Sequence, residues 1–190
     1  MPVIKNFFKE ILSMFVYFVF PTIKDMYEYL IKNNKKSGLV ATVFSYQLEK
    51  KNSFIGIGAK FKDWPYFTHG YTNIQISPRC SIGSNCVIFQ NVTIGGVTTA
   101  GSSNDGAPQI GDNCYICSGA ILVGKINIGN NVRIGAGAVV YKDVPDNSVV
   151  VGDCRIIKKD EPIDNRYFVY DGDDVLVYDF QDRKYKKFNK

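Results

Sequence analysis

The stretch NIQISPRCSIGSNCVIFQNVTIGG (73–96) and its continuation PQIGDNCYICSGAILVGKINIGNNVRIGAGAVV (108–140) carry an aliphatic residue at every sixth position. The aliphatic residues are Ile76, Ile82, Ile88, Ile94, Ile110, Ile116, Leu122, Ile128, Ile134 and Val140. A period of six fits neither an amphipathic helix nor an alternating strand. It is typical of short strands joined by tight corners, with three hexapeptides to a coil and parallel pairing between stacked coils. The pattern therefore predicts a parallel β-helix.

Two further positions repeat with the aliphatic residues. A small or β-branched residue stands four positions after each of them, and three of the five cysteines, Cys80, Cys86 and Cys114, fall in this slot. Glycine follows the aliphatic residue directly at Gly83, Gly95, Gly111, Gly129 and Gly135. We expect the aliphatic side chains to fill a narrow triangular core and the small residues to fill its corners. Glycine is expected to supply the backbone freedom of each bend.

The repeat also predicts how the chain is divided. Between Ile94 and Ile110 the spacing is not a multiple of six, and the residues there are rich in Gly, Ser, Thr, Asn and Asp, which indicates a protruding loop. An early, poorly matched coil passes through Ile55, Phe61 and Phe67. The predicted divisions are an N-terminal helical segment over 1–52, a β-helix over 53–158 with a loop over 97–109, and a C-terminal extension over 159–190.

The flanking segments have simpler patterns. Residues 4–34 are predicted to be helical with an interruption at Pro21. In the C-terminal extension, alternating segments at Tyr167–Tyr170 and Val175–Phe180 flank the turn Asp171-Gly172-Asp173-Asp174 and predict a β-hairpin. Four basic residues close to the C-terminus favour a solvated, frayed tail; they are Arg183, Lys184, Lys186 and Lys187.

Composition narrows the classes of partner. The chain has 190 residues, 45% of them hydrophobic, and a formal net charge of +5. This balance suits an anionic small ligand, and nucleic acid is disfavoured because the basic residues are scattered. Five cysteines, an odd number, in a chain with no convincing signal peptide predict reduced thiols and a cytoplasmic location.

A ten-residue apolar run, Ile11–Phe20, leaves an alternative to this location open. A membrane span needs roughly 20 apolar residues, so the run is too short to cross a bilayer. A helix packed on the body or against partner subunits is the first interpretation. Peripheral membrane contact through the N-terminal helix is the second.

His69-Gly70-Tyr71, followed by residues 73–96 and 108–157, resembles the hexapeptide-repeat acetyltransferases. The branch it resembles holds the serine O-acetyltransferases and the bacterial capsule or exopolysaccharide O-acetyltransferases, and the resemblance covers about residues 53–158. It implies a left-handed β-helix, a homotrimer, and acetyl-CoA lying in a groove between neighbouring subunits. No metal is expected from it.

The same resemblance implies that His69, the one histidine of the chain, is the catalytic base. An alcohol that attacks a thioester needs a neutral imidazole to take its proton, and imidazole titrates at about pH 6.5. The nucleophile is then the hydroxyl of the substrate. Taken without the resemblance, a lone histidine is more often structural. With a single histidine, the chain cannot supply the three zinc ligands of the γ-class carbonic anhydrases, which share the repeat.

Candidate contacts for acetyl-CoA follow from the positions that match the family. They are Gly96, Ser118 and Ala136, with Arg133 and Arg155 as candidate phosphate partners. Small residues also suit the corners of any β-helix, which is the alternative interpretation. Cys114-x-x-Cys117 is a lone pair without a second pair or a nearby histidine, so zinc or redox chemistry is not expected there.

Two departures from the family pattern bear on the acceptor. Serine acetyltransferases orient their histidine with an aspartate one coil earlier, and the matching position here is Phe54; a backbone carbonyl or Asp63 could take that role. They also carry an Arg-His pair that helps to hold the amino acid, where this chain has Gly106 and Ala107. A serine carboxylate would lack a cation at those positions.

The sequence therefore predicts an acetyl-CoA-dependent O-acetyltransferase that acts on a saccharide, as a capsule, exopolysaccharide or O-antigen precursor. Serine, or another small acceptor, is the alternative within the same reaction class. A non-catalytic hexapeptide-repeat scaffold is the alternative outside it.

Overall fold

A computed structural model describes residues 2–99, 102–172 and 174–188, with side chains described from Phe8 onward. Several residues of the predicted segments lie outside the described residues: residue 1 of the N-terminal segment, 100–101 of the loop, and 173 and 189–190 of the C-terminal extension.

Three helices precede the β-helix. They are α1 Pro2–Val19, α2 Ile23–Lys32 and α3 Leu39–Glu49. α1 and α2 are separated at Pro21, as predicted, and a capping box starts α2: Asp25 N donates to Thr22 Oγ1 (3.1 Å) while Thr22 N donates to the Asp25 carboxylate (2.9 Å). α3 lies within the predicted N-terminal helical segment over 1–52, although the helical pattern itself was followed only over residues 4–34. α3 is stabilised by burial of Phe44 and Leu48 in the common core.

The β-helix has three sheets whose strands are parallel, except that β15 closes the third sheet by pairing antiparallel with β14. The first sheet contains β1 Phe54–Ile55, β4 Gln75–Ile76, β7 Thr93–Gly95, β10 Ile121–Val123 and β13 Val139–Val140. The second contains β2 Lys60–Phe61, β5 Ser81–Ile82, β8 Gln109–Ile110 and β11 Asn127–Ile128. The third contains β3 Tyr66–Tyr71, β6 Val87–Ile88, β9 Tyr115–Ile116, β12 Arg133–Ile134, β14 Ser148–Val151 and β15 Arg155–Lys158. The predicted left-handed parallel β-helix is confirmed.

The aliphatic repeat forms the core. In the first sheet Ile76 pairs with Ile94, Ile94 with Leu122, and Leu122 with Val140, and these four side chains are completely buried. The early coil joins the same columns, since Ile55 pairs with Ile76. The aliphatic residues of successive coils therefore form continuous columns inside the prism.

The prediction that the glycines after the aliphatic residues supply the bends is wrong, because none of those five has a positive φ; other glycines, Gly119 and Gly137, do so at a different corner, with φ 72° and 65°. The bends between the second and third sheets are made by asparagines in the left-handed region; they are Asn85, Asn113, Asn131 and Asn147, with φ between 55° and 56°. Gly83 has no such φ. A Cβ on Gly83 would lie 2.5 Å from the carbonyl oxygen of Gly111 in the next coil. Glycine is needed there because adjacent coils approach closely.

The C-terminal extension packs on the outer face of the third sheet. It forms an antiparallel sheet of β16 Phe168–Asp171, β17 Asp174–Asp179 and β18 Lys184–Lys187. The Tyr178 ring lies 3.9 Å from that of Tyr66 on the third sheet. The first two strands form the predicted hairpin. The expectation of a frayed basic tail is wrong, because Lys184–Lys187 pairs with β17 as a third strand.

One side of α1 is buried and the other is apolar and exposed. Val16 belongs to the core, and Glu10 accepts a hydrogen bond from Tyr46 of α3 (2.8 Å). The exposed residues on the opposite side include Met14, Phe15 and Phe18, the last of them 92% exposed. In the described part of the chain, no helix has the length and apolar content needed to cross a membrane.

We expect Ile116→Ala to destabilise the protein by about 2–5 kcal/mol, because the side chain is completely buried between coils and its removal leaves a cavity. Ile121→Ala is the matched control, since Ile121 lies on the outer face of the first sheet and is 40% exposed. Urea unfolding followed by circular dichroism measures both. Equal destabilisation by the two substitutions would contradict the placement of Ile116 inside the core and of Ile121 outside it.

Candidate active site

His69 lies on an insertion at one corner of the β-helix, the corner where the third sheet leads into the first sheet of the next coil. We call this corner the His69 corner. From Ile88 to Val92 the chain passes it in four residues, but from Phe67 to Ile74 it takes seven. The three additional residues are His69, Gly70 and Tyr71, because Asn91 N donates to the Thr72 carbonyl (3.1 Å) just after them.

The insertion exposes one side chain and buries another. Gly70 turns it with φ 63°, a conformation that favours glycine. Tyr71 packs against Phe67 with ring centroids 4.9 Å apart, and its hydroxyl accepts a hydrogen bond from Trp64 Nε1 (3.2 Å). Burial raises the pKa of the Tyr71 phenol. His69, two residues earlier, is exposed to solvent. Tyr71 thus anchors the insertion that presents His69.

The His69 imidazole has one ring contact and, within the described residues, no hydrogen bond or ion pair. Phe89 of the next coil meets it edge-on, with centroids 6.0 Å apart and an interplanar angle of 62°. The His69 carbonyl accepts a hydrogen bond from Thr72 Oγ1 (3.0 Å), which closes the insertion. The imidazole is therefore open to a substrate.

Neither side chain considered as an orienting partner contacts this imidazole. Phe54 pairs with Gln75 in the first sheet and points outward, 52% exposed. Asp63 is exposed between the second and third sheets and forms no ion pair with His69. The spacing carried over from the family therefore does not identify an orienting side chain for His69.

Below His69, the predicted contacts Ser118 and Ala136 stack in the same corner. Gly119 N donates to the Gln90 carbonyl (3.2 Å) and Gly137 N to the Ser118 carbonyl (2.9 Å), which places Gln90, Ser118 and Ala136 in successive coils. Ala136 is exposed and Ser118 half-buried. The structure therefore brings two of the five predicted acetyl-CoA contacts to the corner that carries the candidate base.

The other three predicted contacts are not at this corner. Gly96 follows β7 where the loop begins. Arg133 lies on the outer face of the third sheet, where its Nε donates to Asn165 Oδ1 (2.9 Å), its Nη2 donates to the Asp164 carbonyl, and its guanidinium covers the Tyr115 ring. Two of its donors thus serve the C-terminal extension. Arg155 on β15 is exposed and remains a candidate phosphate partner.

The loop between β7 and β8 leaves the prism at a different corner, between the first and second sheets. Arg79 holds its base: Nη1 donates to Asp105 (2.8 Å), and Nη2 donates to the carbonyls of Val97 and Gly106 (3.2 Å to Gly106). Ala107 is buried. A Cβ on Gly106 would lie 2.7 Å from the Cβ of Lys125. Lys125 is exposed and has no ion pair among the described residues, so the side chain that starts beside Gly106 carries a free ammonium group.

The cysteines behave as packing residues. Burial raises the pKa of the Cys117 thiol and raises that of Cys80 to about 12, so both thiols stay protonated at neutral pH. The sulfur of Cys114 lies against the Gly129 carbonyl (3.2 Å). Over the described residues, no group of three His, Cys, Asp or Glu side chains is placed to hold a metal ion.

Three residues beside His69 were missed by the sequence analysis. Phe89 is one of them. Thr68 and Gln90 are the others, and their side-chain oxygens are the two that are buried without a hydrogen-bond partner in the described part of the chain. The register of β3 and β6, continued by one residue, could have identified two of them, since it places Thr68 opposite Phe89.

Comparison with known proteins agrees with this architecture. Residues 107–142 match the family described as bacterial transferase hexapeptide (six repeats). A serine acetyltransferase of Bacillus pumilus is 43% identical over 96 residues, which are 50% of this chain and 41% of that protein. The matched part of this chain spans less than half the length of that relative and of a serine acetyltransferase of Staphylococcus aureus.

Solved structures extend the likeness to the fold. The soybean serine acetyltransferase complexed with serine superposes with a TM-score of 0.62 at 29% identity, over 71% of this chain and 56% of that chain. A serine acetyltransferase in complex with CoA gives a TM-score of 0.57 at 26% identity, over 71% of this chain and 55% of that chain. The expected resemblance to hexapeptide-repeat acetyltransferases is confirmed.

Proposed function

We propose that this chain, which carries the hexapeptide repeat of bacterial transferases and resembles the serine O-acetyltransferases, is an acetyl-CoA-dependent O-acetyltransferase with His69 as its general base. The observation that carries the proposal is the placement of His69. The one imidazole of the chain is lifted out of a regular β-helix by a three-residue insertion and is left open above a corner of small residues.

The proposed reaction requires only one protein side chain, His69, for its proton transfers. The acceptor hydroxyl attacks the thioester carbonyl while His69 takes its proton. The C–S bond then breaks, the acetyl ester forms, and the CoA sulfur leaves as a thiol after it accepts a proton from the imidazolium. No cysteine is needed as a nucleophile, in keeping with the raised pKa of Cys117.

L-serine is the first candidate acceptor. The relatives and the structural neighbours are named serine acetyltransferases, and this favours serine over the saccharide that the sequence analysis placed first. The absence of an Arg-His pair weighs less once Lys125 is found beside Gly106. Its ammonium is a cation that could pair with the serine carboxylate.

A saccharide acceptor is the second candidate, and Gly106 with Ala107 is the observation that favours it. Neither residue offers a polar side chain, and Lys125 binds a carboxylate as a single point charge rather than through a two-pronged guanidinium. A neutral acceptor would need no such cation.

The two parts of the proposed site lie at different corners of one prism. His69 stands between the third and first sheets, while Gly106 and Lys125 stand between the first and second. Because the first sheet separates them, they can meet only if the loop of one copy approaches the His69 corner of another. This arrangement supports a homotrimer with acetyl-CoA bound between subunits. The exposed apolar face of α1 suits subunit packing as well, so we favour it over peripheral membrane contact.

We expect His69→Asn to lower kcat by roughly 10²–10⁴, the usual contribution of a positioned general base. Asparagine keeps a polar side chain of similar size but cannot take the proton. Release of free CoA measures turnover, and calorimetric titration with acetyl-CoA measures cofactor affinity, which should change little.

Thermal unfolding of the same variant separates chemistry from structure. A structural histidine would lower the melting temperature, and activity would fall only as folded protein is lost. If the variant is folded, binds acetyl-CoA and keeps near-normal turnover, His69 is not the base. If the wild-type protein releases no CoA with any of the acceptors tested, the non-catalytic scaffold alternative is favoured.

We expect Lys125→Gln to raise KM for L-serine by about 10-fold or more, because a charge-assisted hydrogen bond to the carboxylate contributes about 1.5–3 kcal/mol. Lys142→Gln is the control, since Lys142 is also exposed but lies after β13, away from the loop. Unmodified protein that acetylates oligosaccharides but not serine would establish the second candidate instead.

We expect sedimentation equilibrium to give three times the mass of one chain at micromolar concentration. A C3 ring brings each loop to the corner of its neighbour and buries apolar surface that a single chain leaves exposed. A stable monomer with full activity would contradict both the trimer and the intersubunit site.

A further inference from the structure

A general base has to be held in one orientation, and for a catalytic histidine this is usually done by a hydrogen bond to a carboxylate. In the described part of this protein the His69 imidazole has no such partner. No described residue accepts or donates a hydrogen bond at the His69 imidazole, and no described carboxylate lies within ion-pair distance of it. What the imidazole does contact is the Phe89 ring, edge-on at 6.0 Å. Aromatic pairs at such separations have a preferred relative orientation, so packing can restrict the ring where hydrogen bonding does not.

Phe89 is itself fixed from two sides. Tyr115, one coil further along the third sheet, lies 5.2 Å from it, and Tyr167 of the C-terminal extension lies 5.9 Å from it with an interplanar angle of 75°. Tyr167 is held in turn by Tyr66, at 5.2 Å. A continuous set of rings therefore leads from the C-terminal extension, through Phe89, to the imidazole.

The C-terminal extension is attached to the β-helix on both sides of Tyr167. Besides the Tyr66–Tyr178 contact, Asn165 Nδ2 donates to the carbonyls of Asn113 (3.0 Å) and Val132 (3.2 Å), and Arg183 donates to the Trp64 carbonyl (3.0 Å). The extension thus has fixed contacts on both sides of Tyr167. These contacts fix the position of Tyr167 relative to Phe89.

We propose that Phe89 is the positioning residue for His69, and that the C-terminal extension contributes to catalysis by holding Phe89 through Tyr167. The inference rests on the proposed function, because it assigns to packing the orienting role that a carboxylate plays for many catalytic histidines. Phe89 and Tyr167 take no part in the proton transfer itself.

The single histidine of the chain makes a direct test available. In a protein labelled with ¹³C and ¹⁵N in histidine, every imidazole signal belongs to His69, so its ring environment is read without assignment and without any substrate. Phe89→Ala removes the adjacent ring and should shift the Cδ2 and Cε1 proton signals and broaden them. Tyr167→Ala should shift them less, and Tyr167→Phe, which keeps the ring, should leave them in place.

Kinetics give the second readout. Phe89→Ala should lower kcat roughly 10- to 100-fold, the scale expected for a misplaced catalytic group, with KM for acetyl-CoA unchanged. Phe89→Tyr should restore most of the loss. Tyr170→Ala is the matched control in the extension, because Tyr170 is on β16 and 80% exposed, and it should alter neither signals nor kcat.

Thr68 and Gln90 provide the competing explanation. Their unpartnered oxygens could hold the imidazole through water, so Thr68→Val and Gln90→Leu are measured alongside. If these variants move the His69 signals and Phe89→Ala does not, the proposal is wrong. If Phe89→Ala fails to fold, Phe89→Leu and Tyr167→Ala decide, and unchanged imidazole signals in both would refute it. Wild-type protein without acetyltransferase activity would end the proposed function, while the signals would still report whether Phe89 positions the ring.

Discussion

The spacing between coils is the constraint on which the rest of this structure depends. Parallel strands hydrogen-bonded to one another lie about 4.8 Å apart, so each coil has that height at every face and corner. Ile116 and its equivalents fill the inside of the prism at this spacing. At the corner, the same spacing leaves no room for a Cβ on Gly83, because the backbone of Gly111 in the next coil lies too close. Residue types thus follow from the space that adjacent coils leave.

The sequence could predict the parts of the structure that recur in every coil. Period six identified the sheets, the core and the loop, because each coil imposes the same demand on the residues it uses. The segments outside the repeat carried no such signal. The strand Lys184–Lys187 is exposed along its whole length and pairs with β17, where Lys186 meets the Asp179 carboxylate at 2.6 Å. A basic, polar run of this kind is indistinguishable from a solvated tail until its partner strand is known.

The candidate site shows the same division between what repeats and what does not. His69 could be predicted as the base only through the resemblance to the hexapeptide-repeat acetyltransferases. Its surroundings could not, because the spacing carried over from the family led to Phe54, an exposed residue of the first sheet that does not contact the imidazole. Phe89 carried no signal in the sequence, and its contact with the imidazole follows from the register of β3 with β6.

A repeating scaffold offers the same surface at each coil, so it cannot by itself define one active site. Uniqueness has to come from departures from the repeat, and this chain has two on the β-helix and one after it. The insertion at His69 and the loop beyond Gly96 leave the prism at different corners. The C-terminal extension covers the third sheet beside the first of them. A site that uses both departures needs two copies of the chain, and a site that uses the extension needs its rings in place. Assembly and aromatic packing, more than the residues of the repeat, are therefore what would set this protein apart from others that share its fold.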